Sequence, residues 1–136
     1  MKKFYIFLVV ILIGIQFIPL EQSSPPVQYD LIASNDIKNI LRKGCYDCHS
    51  NETNWAWYTK VAPLSWLTTG DVNKARKKLN FSDWGLMRAS EQAKMKEEIW
   101  EEVREESMPP WQYRIMHPST KLSIEEKNLI RSWAMN

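Results

Sequence analysis

The chain has 136 residues, of which 44% are hydrophobic, 25% charged and 12% aromatic; this suits one compact domain and excludes disordered, collagen-like and low-complexity classes. Lys and Arg number 18 against 16 Asp and Glu, and setting aside Lys2 and Lys3 leaves 16 against 16, so the body carries no basic footprint for nucleic acid. Seven Trp is many for this length, and so much planar apolar surface must be buried in a core or around something flat.

Lys2-Lys3 ahead of the unbroken apolar run Phe4–Ile13 is the basic n-region and apolar h-region of an export signal. The run resumes after Gln16 as Phe17-Ile18-Pro19-Leu20. From Phe4 to Leu20 there are 17 positions, ~25 Å as a helix, at the short end for a bilayer span. No small-x-small cleavage site follows, so residues 1–20 are expected to be an uncleaved signal anchor, ahead of a cleaved signal peptide. The basic end stays cytoplasmic and the rest of the chain is exported. Residues 21–33, with Ser23-Ser24-Pro25-Pro26, are expected to form an extended polar tether, and residues 34–136 the folded domain.

The first helix of that domain is predicted from a Ser34 or Asn35 cap, with the stripe Ile37, Ile40, Leu41, basic Arg42 and Lys43 in its last turn, and Gly44 as its stop. Ser50 to Leu67 reads as an aromatic loop. A short helix is predicted over Asp71–Leu79, with Val72, Ala75 and Leu79 inward and Lys74, Arg76, Lys77 and Lys78 outward. A longer one runs from a Ser90 cap to about Glu106, with Met95, Ile99 and Val103 on one face and Trp100 beside them. Ser107-Met108-Pro109-Pro110 ends it, because proline cannot continue a helix. The last helix opens with the capping box Ser123-Ile124-Glu125-Glu126 and is expected to bury Leu129, Ile130 and Trp133. No segment alternates as a strand does, so the fold class is all-α.

The only cysteines stand in Cys45-Tyr46-Asp47-Cys48-His49, directly after the Gly44 stop. C-x-x-C-H is the attachment signature of c-type haem. Two thiols three residues apart reach the two vinyl groups of one porphyrin, and the following imidazole takes one axial position of the iron. Three alternatives compete. A structural zinc site needs four ligands, and Cys45, Cys48, His49 and His117 lack finger-like spacing. A thioredoxin-type pair needs a βαβ context, which is missing. A surface disulfide suits an exported chain. The export signal favours haem c, one per chain, because in bacteria that attachment happens outside the cytoplasmic membrane.

For the second axial position Met108 is the first candidate, since the prolines fix its loop and Met/His ligation raises the reduction potential. Met116 and His117 follow; Met87 and Met95 read as core filling. Trp55, Trp57, Tyr58, Trp66, Trp84 and Trp111 are candidates to wall the pocket. The basic cluster Lys74, Arg76, Lys77, Lys78 and the acidic face Glu97, Glu98, Glu101, Glu102, Glu105, Glu106 are candidates for steering a redox partner, or are simply solvated.

Helix, Cys45-x-x-Cys48-His49, a methionine 59 residues beyond His49 and a C-terminal helix together resemble the class I cytochromes c. More closely, Cys45–Thr53, Ala62-Pro63-Leu64-Ser65-Trp66, Leu79–Trp84 and Met108-Pro109-Pro110 resemble the small haem-binding domain proteins widespread in Bacteroidetes, over roughly residues 34 to 135. Ala56 and Ala75 depart from that pattern, where proline and glycine are usual; this touches local loop shape rather than the haem motif. The expectation is a class I cytochrome c-like helical domain around one haem, facing the bacterial periplasm. It is anchored to the inner membrane by residues 4–20 and passes single electrons to a redox protein of the cell envelope. Cys45 and Cys48 hold the haem, His49 is the proximal iron ligand and Met108 the distal one. It is an electron carrier rather than an enzyme; the alternative is a haem enzyme or gas sensor with an open, peroxidase-like distal site.

Overall fold

The computed structural model describes residues 1–136 and contains helices and no strand. The α-helices are α1 (Lys2–Gly14), α2 (Asn35–Gly44), α3 (Tyr46–His49), α4 (Leu64–Lys78), α5 (Ala89–Arg104), α6 (Trp111–Met116) and α7 (Ile124–Ala134). Short 3-10 turns cover Ile15–Phe17, Trp57–Lys60, Phe81–Leu86 and Pro118–Thr120. Helix α7 packs on both α5 and α2, and α3 packs on α4 and α2.

Helix α2 forms where its signals place it. Ser34 Oγ accepts the Ile37 N–H at 3.5 Å, and Ile37, Ile40 and Leu41 are buried. They join Leu31, Tyr46, Leu79, Phe81, Trp84, Ile99, Val103, Leu122 and Ile130 in one core. Helix α7 likewise starts on its capping box, with Ser123 Oγ accepting from Glu126 N–H at 3.2 Å and Glu126 Oε2 from Ser123 N–H at 2.8 Å. Its inward face differs from expectation: Leu129 is 43% exposed, while Ile130 and, four residues on, Ala134 are buried.

The middle of the chain is more helical than its apolar pattern suggests. Helix α4 begins at Leu64, seven residues before the expected Asp71, right after Pro63. Its buried positions Ser65, Thr69 and Val72 keep the i, i+4, i+7 spacing but two of the three carry hydroxyls, which hides the stripe. Helix α5 starts at Ala89, one residue before the expected Ser90 cap, and Arg88 N–H donates to Glu91 Oε2 at 2.9 Å. It stops at Arg104 in a Schellman turn: Glu106 sits at φ 58°, Ser107 N–H bonds Glu102 O at 3.1 Å and Glu106 N–H bonds Val103 O at 3.3 Å. The α6 turn after Pro110 has no counterpart in the sequence reading.

At the N-terminus the apolar run does not form one helix. Helix α1 ends at Gly14, a 3-10 turn follows, and Ile18 before Pro19 is extended, as a residue preceding proline prefers. No helix is long and apolar enough to cross a membrane. Residues 21–33, expected as a tether, are fastened to the body instead. Gln22 Nε2 donates to Thr59 O at 2.6 Å, and Arg76 Nη1 donates to Ser23 O at 2.9 Å. Tyr29 and Leu31 N–H donate to Ser82 O and Phe81 O at 3.2 and 2.9 Å, and Leu31 is wholly buried. The packed body therefore begins before residue 34.

Lys43 of α2 meets Glu126 of α7 at 2.6 Å. Burial opposes the Glu126 charge, but Lys43 and the Ser123 N–H outweigh it and hold the carboxyl below its usual range. A carboxyl depressed on folding contributes stability that is present above its unfolded-state pKa and is lost as pH falls through the folded value. Glu126→Gln keeps the capping acceptor and removes the charge. It should lower stability by about 0.5–1 kcal/mol at pH 7 and by progressively less as acid protonates Glu126, measured by urea unfolding at pH 7 and at a series of acid pH values.

Candidate functional site

His49 closes the single turn of α3, whose first residue, Tyr46, is buried against the core. The imidazole Nδ1 lies 3.1 Å from the Leu79 carbonyl oxygen, which can only accept, so Nδ1 carries the proton and donates it. The lone pair is thereby left on Nε2. Burial lowers the His49 pKa more than the backbone carbonyls of Leu79 and Ala75 raise it, which favours the neutral ring.

The residues after His49 hold it in place. Ser50 is completely buried; its Oγ donates to Tyr46 O at 2.7 Å and accepts Glu52 N–H at 2.9 Å. Arg76 of α4 turns inward, correcting its expected place in an outward basic cluster. Its Nε donates to Ser50 O at 2.8 Å, Nη2 to Thr53 Oγ1 at 2.8 Å and Nη1 to Ser23 O at 2.9 Å. Asn51 N–H donates to Ser82 Oγ at 2.9 Å, and Asn80 Nδ2 to Asn51 Oδ1 at 2.9 Å. Ser50, Asn51, Asn80 and Ser82 were not read as site residues from the sequence, and Arg76 was read only as part of a surface cluster, because the bonds that join them cross chain separations of 26 to 31 residues. Arg76→Ala should destabilise the protein by about 2–4 kcal/mol in urea unfolding, and Arg76→Lys should recover little of that, since one ammonium cannot replace a three-way fork.

His49 faces an open cleft of about 520 Å³, a figure that includes the solvent space at its mouth. Leu79, Phe81, Ile99 and Val103 give it an apolar lining, and Cys45 faces it beside His49. On α5 the lining residues Met95, Glu98, Ile99, Glu102 and Val103 follow the i, i+3, i+4, i+7, i+8 spacing of one helical face. Lys78 completes the charged lining, with its Nζ 3.6 Å from Glu102 Oε1.

Met108 also lines the cleft. The other two residues weighed for the distal position do not. Met116 is exposed on α6, and His117 Nε2 is engaged with the Tyr58 hydroxyl at 2.6 Å while its ring stacks on Tyr113 at 4.4 Å. Met95, read from sequence as core filling, is a second thioether in the lining; its place on the Met95, Ile99, Val103 stripe was the available signal.

The tryptophans do not wall the cleft. Trp57 and Trp111 are exposed, Trp55 Nε1 donates to Ser24 Oγ at 3.3 Å, and Trp84 is buried behind Phe81. Phe81 is the aromatic lining residue besides His49. It stacks on Tyr46 at 5.1 Å and on Trp84 at 6.0 Å, and Trp84 meets Trp133 at 6.0 Å. The column backs the His49 ring, which meets Phe81 edge-on at 6.4 Å.

Both cysteines are free thiols and half-buried. Burial, then the neighbouring Cys48, pushes the Cys45 thiol up to about 12. Burial, then the Asp47 and Asp71 carboxylates, pushes Cys48 up to about 11, with Arg76 pulling the other way. Cys48 is not part of the cleft lining; it sits on the α4 side of α3. Beside it Tyr113 donates to Asp47 Oδ2 at 2.6 Å, tying α6 to α3.

A Cβ added to Gly44 would lie 3.1 Å from Pro109 Cγ and 3.5 Å from Thr120 O, so the Met108-Pro109 loop rests directly on the residue before Cys45. Gly44→Ala should displace that loop and cost about 1–3 kcal/mol, measured by urea unfolding.

An all-helical body with an apolar cleft, a half-buried imidazole of fixed tautomer on one wall and thioether sulfur in its lining presents side chains suited to a metal-bearing cofactor. The family described as a haem-binding domain matches residues 10–136, and the chain belongs to that family. No curated protein and no solved structure matches it.

Proposed function

We propose that this haem-binding protein is an exported, mono-haem c-type cytochrome that carries single electrons. The observation that carries the reading is the His49 Nδ1–H donated to Leu79 O at 3.1 Å, which turns Nε2 into the free donor atom of a cleft that Cys45 and Met108 also line. Ligating histidines commonly hold their second nitrogen this way, and the contact raises the basicity of the ligand. In this reading Cys45 and Cys48 are the thioether attachment points, His49 the proximal iron ligand and Met108 the distal one. Bound haem supplies a one-electron iron couple, and Met/His ligation places its potential high.

The chain's own contribution is to hold and to shield. Leu79, Phe81, Ile99 and Val103 give the cleft an apolar lining that would keep water from a bound haem. Lys78 supplies a cation beside two carboxylates, Glu98 and Glu102. A six-coordinate site needs no ligand exchange for electron transfer, which suits a carrier that serves a redox protein of the cell envelope. The basic-then-apolar N-terminus supports export and attachment to the membrane through residues 4–20.

The test is an absorption spectrum of the chain expressed with a haem-attachment system in a periplasm, taken oxidised and reduced after denaturing extraction. Retained haem with the weak near-infrared band of sulfur-to-iron ligation is expected. Cys45→Ala and Cys48→Ala should each weaken retention, Met108→Ala should abolish the band, and Met95→Leu should keep it. The reverse pattern in the two methionine variants would move the ligand to α5. Retained haem with a high-spin spectrum would favour an open-site enzyme or sensor, and extraction of all haem would sink covalent attachment.

A further inference from the structure

Helix α1 is apolar on every side: Phe4 to Ile13 are each 40–64% exposed, and no acidic or basic residue interrupts them. The end of this segment is joined rigidly to the body. The Gln16 side chain brackets one residue of the facing turn, its Oε1 accepting Ala62 N–H at 3.0 Å and its Nε2 donating to Ala62 O at 3.1 Å. Six residues later Gln22 Nε2 donates to Thr59 O at 2.6 Å and Thr69 Oγ1 at 3.3 Å. These bonds fix where the apolar segment leaves the body.

Around that joint the body is itself apolar and uncovered. Trp57 is 74% exposed, Val61 44%, Leu64 48% and Leu67 63%. Leu64 and Leu67 lie three apart on one outer side of α4, and the Trp57–Lys60 turn packs on the same helix. Ser65 and Thr69 face inward, so this outer side has no protein partner. Grouped exposed side chains of this kind mark a contact surface.

We propose that Trp57, Val61, Leu64 and Leu67 form a membrane-docking face, continuous with α1, that seats the body on the lipid surface. The inference rests on the reading of residues 4–20 as membrane-inserted. Length supplies the driving force. Thirteen helical residues span ~20 Å, against ~30 Å of hydrocarbon. With Lys2 and Lys3 held among headgroups on one side, Gln16 and the Ala62 turn bonded to it are drawn to the hydrocarbon edge on the other. Trp57 and Lys60 are the residue types that settle at that depth, ring or stem in the boundary and polar end in the headgroups. Helix α4 then sets the geometry of the cofactor site: its N-terminal end carries the docking face, and its C-terminal end, with Lys78 at the cleft, lies ~20 Å further along the axis.

The full chain in phosphatidylcholine nanodiscs, doped with a lipid bearing a diazirine on its acyl chain, tests this after irradiation and peptide mass spectrometry. Adducts are expected on α1 and on residues 57–67. Leu64→Glu/Leu67→Glu should lower labelling of 57–67 several-fold with α1 labelling unchanged, and Gln16→Ala, which frees the joint while leaving the face intact, should do the same. Adducts confined to α1 in the unaltered chain would overturn the docking face and leave membrane insertion standing. Discs holding two copies with residues 57–67 unlabelled would overturn it in favour of self-association. No adduct on α1 would overturn insertion and the docking face together. The haem absorbance of the same samples reports on the folded cofactor site independently of all three.

Discussion

Everything about the site turns on the contact between His49 Nδ1 and the Leu79 carbonyl. Leu79 caps α4, with its own N–H bonded back to Ala75 O at 2.8 Å, so the end of a fifteen-residue helix aims its carbonyl. His49 ends α3, so the contact joins two helix termini whose backbone groups need partners from outside the helix. One hydrogen bond thereby fixes the ring's orientation and its tautomer, and burial keeps it neutral. All three serve the proposed role of His49 as an iron ligand, which requires a lone pair presented in one direction.

The rigidity of that joint comes from polar bonds placed inside the protein. Ser50, Asn51 and Ser82 are buried, Asn51 bonds Ser82, and Arg76 reaches Ser50 and Thr53 from α4 and continues to Ser23 of the N-terminal segment. Burying such groups is unfavourable unless each finds a partner. No buried side-chain polar atom lacks one. The apolar core supplies most of the cohesion, but apolar contacts tolerate sliding; the directional bonds around Ser50 do not. The column Tyr46, Phe81, Trp84 and Trp133 joins the two systems, with Phe81 serving as cleft lining on one side and core on the other.

The charge pattern divides along the same lines. Of the basic cluster on α4, Arg76 is taken inward and Lys78 belongs to the cleft, which leaves Lys74 and Lys77 to solvent. On α5, Glu98 and Glu102 share the cleft face while Glu97, Glu101 and Glu105 point away. A run of like charges in sequence is therefore two populations in space, one near the cofactor site and one on an outer face. Only the first acts on the site at short range; the second is screened over about 8 Å in physiological salt.

What the sequence determined by itself is local. The caps at Ser34 and Ser123 and the stripes Ile37-Ile40-Leu41 and Met95-Ile99-Val103 are short-range signals, and the helices they mark form there, whereas α5 ends at Arg104 in its own Schellman turn, ahead of the expected proline stop. The motif Cys45-x-x-Cys48-His49 pointed to haem, and the family match bears out haem binding. The start of α4 was hidden because Ser65 and Thr69 occupy buried positions, and residues 21–33 read as a tether because their anchoring bonds go to Thr59, Arg76, Phe81 and Ser82, far away in sequence. Tertiary structure alone decided that Met95 and Met108 share the cleft, that His117 is engaged by Tyr58, and that the tryptophans back the site or face solvent instead of lining it. The reason is physical: capping and periodicity are settled within one or two helical turns, whereas a cleft is made where distant segments meet.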